Sequence, residues 1–77
     1  MGMAPDPEDE IPVESSNLKT IWYDRYTSEL YVRFKSGVLY RYTGVPLGKW
    51  QGLKEAVESH GKYLNLHIRG YYPFNIV

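Results

Sequence analysis

His60 and His67 are the only imidazoles in this chain, and it has no cysteine. On one continuous helix the two rings would stand about 10.5 Å apart, too far to share a metal ion. Without a thiol there is no disulfide, no thiolate metal centre and no cysteine nucleophile. Five serines are present, none in a G-x-S-x-G setting, and neither histidine has a recognisable triad context. Gly44-Val45-Pro46-Leu47-Gly48-Lys49 superficially resembles a phosphate loop. It has three residues between the glycines instead of four, and Trp50 stands where Ser or Thr should hold magnesium. Asp24, with Thr27 and Ser28 nearby, reads as a turn initiator. The expectation is a non-catalytic protein with no cofactor and no metal.

What remains is a set of bases interleaved with aromatics. Tyr31, Arg33, Lys35, Arg41, Lys62 and Arg69 are the candidate site residues, with Tyr71 and Tyr72 close behind. Single-stranded RNA is commonly held on a basic sheet face where aromatics stack on bases and Arg and Lys meet phosphates. The plain alternative is a solvated outer face, for which Arg and Lys serve equally well. A third possibility is a protein-interaction module, phage-encoded and directed at a host protein, using Trp22, Tyr71 and Tyr72, since aromatics dominate interface hot spots.

Charge supports an anionic partner. The formal net charge is zero, yet Asp6, Glu8, Asp9, Glu10 and Glu14 crowd the first fourteen residues, where there is no base. Beyond them, nine bases against Asp24, Glu29, Glu55 and Glu58 leave +5. Residues 1–14, with prolines at 5, 7 and 12, read as a flexible acidic tail, and residues 15–77 as the domain. Extended, the tail reaches roughly 46 Å. Its carboxylates can therefore reach the bases and compete with an anionic ligand, or they serve only to keep the protein soluble. Hydrophobic residues make up 43%, enough for one small core. No apolar run nears the ~20 residues of a membrane span, and the acidic start is unlike a signal peptide. The chain reads as cytoplasmic, of unspecified oligomeric state.

The elements that must position these groups follow from periodicity. Residues 18–26 are rich in β-branched and aromatic types, while residues 30–35 and 38–43 alternate apolar with polar. Short links make a three-stranded antiparallel β-meander. A three-residue loop at Lys35, Ser36 and Gly37, with Gly37 left-handed in a G1 bulge, pairs Phe34 with Val38. Leu30, Val32, Phe34, Tyr40 and Tyr42 then share one face, and Tyr31, Arg33, Lys35 and Arg41 the other. A one-residue slip would reverse every side chain. Pro46 suits the first position of a helix carrying Leu47, Trp50, Leu53 and Val57 on its apolar stripe. Gly48 and Gly52 suggest a close backbone approach, and Gly61 a helix end. Tyr63, Leu64, His67 and Ile68 fit a second short helix closed by Gly70, with His67 packing its ring on the helix face. Residues 71–77 then pack back on the domain. The class is α+β, with one or two C-terminal helices on one sheet face, and Phe34, Tyr40 and Tyr42 buried beneath Trp50 and Leu53.

In order and spacing the chain resembles the KTSC domain family, found at the C-terminus of some lysyl-tRNA synthetases and as stand-alone bacterial and phage proteins. The resemblance runs from Ser15-Ser16 through Leu18, Ile21, Tyr23-Asp24 and Leu30-x-Val32-x-Phe34 to Gly37, Tyr40-x-Tyr42 and Val45-Pro46. It closes with Ser59-x-Gly61-x-Tyr63-Leu64-Asn65, Ile68-Arg69 and Tyr72-Pro73. Trp22 and Leu64 depart from it, where glycine and phenylalanine are frequent. No established activity comes with the family; its place on a tRNA-charging enzyme implies RNA binding by association.

Overall fold

Strict alternation in the middle of the chain builds the centre of the sheet. A computed structural model describes residues 10–77. Its elements are β1 (Ile11–Pro12), β2 (Leu18–Asp24), β3 (Glu29–Phe34), β4 (Leu39–Tyr42), α1 (Leu47–Glu55), α2 (His60–His67) and β5 (Phe74–Ile76). The strands form one antiparallel sheet in the order β1-β2-β3-β4-β5. The fold is α+β as expected, with five strands instead of three.

Both added strands are edges. β1 has two residues and lies inside the segment expected to be a free acidic tail. Ile11 pairs with Ile21, and Val13 N donates to Lys19 O at 3.1 Å. Pro12 is tolerated there because an edge strand has one side without ladder bonds. Glu10, Ile11, Pro12 and Val13 thus bond to or pair with the sheet; the remainder of the expected tail, residues 1–9, lies outside the described residues. β5 arises from the C-terminal segment expected only to pack back, and its three residues are too few to show alternation.

The β3–β4 register is the bulged one. Val32 opposes Tyr40 and Leu30 opposes Tyr42. Phe34 N donates to Val38 O and Gly37 N to Phe34 O, both at 2.9 Å, with Gly37 at φ +95°. Glycine is needed at that angle because a Cβ makes the left-handed region costly. One sheet face therefore carries Leu18, Ile21, Leu30, Val32 and Tyr42, sealed by Val45, Trp50, Leu53, Leu64 and Ile68.

The helices differ in detail from expectation. α1 stops at Glu55, and Gly61 lies inside α2 instead of ending a helix. Leu47 and Val57 are exposed, so the buried stripe of α1 is Trp50 and Leu53 alone. Gly52 does permit a close approach, since a Cβ there would lie 2.0 Å from the Tyr63 hydroxyl; Gly48 has nothing within 4 Å. His67 stacks on Tyr63 with ring centroids 4.3 Å apart.

Candidate nucleic-acid interface

The outer sheet face holds Tyr31, Arg33 and Arg41, but it is closed. Tyr31 is only 1% exposed, so it offers no surface to a base and is corrected from stacking residue to packing residue. Trp22, its cross-strand neighbour, lies 5.2 Å away between ring centroids. Burial and the nearby Glu29 carboxylate push the Tyr31 hydroxyl pKa up. Leu39, opposite Arg33, is buried on this face too. Neighbouring side chains of the same face thus bury Tyr31 and Leu39 on what alternation makes look like a solvated surface.

The bases of that face are paired within the chain. Glu10 grips Arg33 in two contacts, Nε to Oε1 at 3.0 Å and Nη2 to Oε2 at 3.2 Å. Thr20 donates its hydroxyl to the same carboxylate. The Glu10 side chain is 6% exposed and that of Arg33 30%. Arg33 holds the Glu10 carboxyl below its ordinary value, overcoming the opposing effect of burial, and Glu10 in turn raises Arg33. Arg41 Nε stands 3.6 Å from Glu29 Oε2. The carboxylate that grips Arg33 comes from the segment expected to be a flexible acidic tail, and nothing in the sequence signals which base it takes.

The remaining candidates lie elsewhere. Lys35 and Arg69 meet at a cleft of about 310 Å³ on the inner side of the sheet, beyond the cover of the helices. Phe34, Val38 and Tyr40 line it together with Asn17. Phe34 and Tyr40 are only partly buried, contrary to expectation, whereas Tyr42 is fully buried. Nine residues of α1 and eight of α2 are too short to cover a five-stranded sheet.

This gap leaves a row of rings. Phe34 meets Tyr40 edge-on at 4.9 Å, and Tyr40 stacks on Phe74 at 4.9 Å with planes 11° apart. Phe74, half exposed, was not among the sequence candidates. Its pairing with Tyr42 across β4–β5 puts it there, and nothing in a three-residue strand announces that pairing. Lys62, the last candidate, lies apart from the row, in a polar cleft at the start of α2. Among the described residues no group of three or more His, Cys, Asp or Glu could hold a metal ion. No described helix is long and apolar enough to cross a membrane.

A five-stranded antiparallel sheet with two short helices on one face defines a small α+β domain. The KTSC domain profile matches residues 14–72, and the chain belongs to that family. It is 42% identical over 55 residues to an uncharacterized protein from Stutzerimonas stutzeri (strain A1501), a match spanning 71% of this chain and 76% of that one. The crystal structure of a KTSC domain protein from Yersinia pestis is also similar, with a TM-score of 0.83 and 31% identity over 88% of this chain and 94% of the other.

Proposed function

We propose that the domain is a non-catalytic module that binds single-stranded nucleic acid, RNA in preference, along the open inner side of its sheet. The observation that carries this reading is the contiguous row Phe34, Tyr40 and Phe74 beside Lys35 and Arg69. Stacked bases need an accessible π-face and their phosphates need unpaired cations. Phe74 at the end of the row is half exposed, and Lys35 and Arg69 face no carboxylate within 4 Å among the described residues, whereas Arg33 and Arg41 on the outer face each do.

A protein partner is the second reading, favoured by exposed Tyr71, Phe74 and Ile76 near the free edge of β5. Salt separates the two. Titrating the full chain against a short fluorescent single-stranded RNA should give affinities that fall linearly in log–log form, by about 0.7 per phosphate contacted. Absence of binding at low salt overturns the nucleic-acid reading. Binding indifferent to salt would remove the phosphate contacts and favour an aromatic-centred interface.

A further inference from the structure

A second cleft, of about 470 Å³, opens where the turn before β2 meets the start of α2. Ser16 and Asn17 line both clefts. Arg69, on the first, donates from Nη1 to Oδ1 of Asn65, on the second, at 3.4 Å. The two clefts are therefore neighbours, and all three candidate bases that are not on the outer face, Lys35, Arg69 and Lys62, line one or the other.

The second cleft is lined by polar groups without partners among the described residues. α2 begins uncapped: Ser59 makes no side-chain cap and no acid stands in the first turn. Its ladder starts with Tyr63 N donating to Ser59 O at 3.1 Å, which leaves the earlier N–H groups at the positive end of the helix without intrahelical acceptors. His60 lines the cleft while only 5% exposed, and its Nδ1 is buried with no hydrogen-bond partner. A polar side-chain atom in that state is uncommon in a folded protein. Ser15 Oγ accepts from the N–H groups of Asn17 and Leu18, both at 3.2 Å, so its own hydrogen remains free to donate. A Cβ at Gly61 would lie 3.3 Å from that oxygen, so the serine sits against the helix backbone.

We infer that this cleft is a phosphate subsite, formed by the start of α2 with Lys62, His60 and Ser15, and that it seats a phosphodiester of the strand whose bases stack on Phe34, Tyr40 and Phe74. The assignment of the phosphate to a strand rests on the reading proposed above; the phosphate subsite itself does not. Glu14 and Glu58 line the same cleft. Their charges oppose an anion, so they weaken the subsite and their neutralisation must strengthen it. That sign is opposite to the one expected of a site for a cation.

Two titrations of the full chain test this. In the first, inorganic phosphate is added while backbone amide resonances are followed. The Gly61 and Lys62 amides should shift saturably. Lys62→Ala should weaken that binding about tenfold, the loss of one charge-assisted hydrogen bond, and Glu58→Gln should tighten it. Unmoved amides, or affinities unchanged in both variants, overturn the subsite. In the second, short single-stranded RNA replaces phosphate. Lys62→Ala should reduce the salt slope by about 0.7, whereas Phe74→Ala should weaken binding and leave the slope alone. RNA binding with a slope indifferent to Lys62 overturns the subsite as part of the strand track but leaves the aromatic row standing. Phosphate binding without RNA binding overturns the strand and leaves a site for free phosphate.

Discussion

The two faces of the sheet carry similar ingredients and put them to different use. On the outer face, Tyr31 is packed beneath Trp22, Arg33 is gripped by Glu10, and Arg41 faces Glu29. On the inner face, Leu30, Val32 and Tyr42 are sealed by Trp50, Leu53 and Leu64, while Phe34, Tyr40 and Phe74 are less buried, with Lys35 and Arg69 near Phe34 and Tyr40. The lesson concerns charge. A count of bases says how much positive charge a domain carries, not where it is available, because a carboxylate within 4 Å cancels most of the local field. The availability of an aromatic is likewise set by its neighbours and not by its type.

The most severe way to break this contrast is to truncate one ring on each face. Tyr31→Ala removes a fully buried aromatic and should cost about 3–5 kcal/mol, the range for large-to-small changes in a packed site. Phe74→Ala removes a half-exposed ring at an edge and should cost about 1 kcal/mol by its lesser burial. Urea unfolding monitored by circular dichroism measures both. If the two variants lose equal stability, the outer face is not a packed layer and Tyr31 returns as a ligand-facing residue.

That difference between faces was only partly legible in the sequence. Alternation at Leu30, Val32 and Phe34, with Gly37 permitting a bulge, is enough to predict the β3–β4 register, because a slip would turn every apolar residue to water. Two things escape periodicity. Two- and three-residue edge strands are shorter than one full alternation, so β1 and β5, and with them Glu10 and Phe74, leave no pattern. Coverage is also a tertiary quantity. Helix lengths of nine and eight residues decide that Tyr42 is sealed and Tyr40 is not, though both stand on the same strand and face. The glycine expected to end a helix misled for a similar reason, since Gly61 is accommodated within α2 beside Ser15.

A milder perturbation opens the outer face by chemistry. Glu10 has a lowered pKa, first because Arg33 donates to its carboxylate, with Thr20 and Lys19 assisting against desolvation. A carboxyl lowered on folding adds stability above its unfolded value near 4.5, and that stability is lost as pH falls through the folded value. Glu10→Gln should therefore cost about 1–2 kcal/mol at pH 7, as a hydrogen-bonded charge pair would. The gap to the parent should close progressively as pH falls below the unfolded value of 4.5. A gap that does not change as acid is added, down to the pH at which both proteins unfold, would show that the pair contributes through packing alone.

The finest test compares the two pairs of bases without disturbing the fold. By sequence alone Arg33 and Arg41 are the natural choice for phosphate contacts. Because each already faces a carboxylate, a phosphate would have to displace that partner, and the attraction gained would be offset by the attraction lost. Lys35 and Arg69 have no ion-pair partner among the described residues within 4 Å. A strand can therefore use them without that exchange. Replacing Lys35 and Arg69 together by alanine should lower the log–log salt slope for single-stranded RNA by about 1.4, two phosphates at 0.7 each. Replacing Arg33 and Arg41 together should leave the slope where it was, provided circular dichroism shows the variant folded. The reverse pattern, a slope that falls only with the outer pair, would return the strand to the outer face. It would also make Glu10 a competitor that the phosphate displaces.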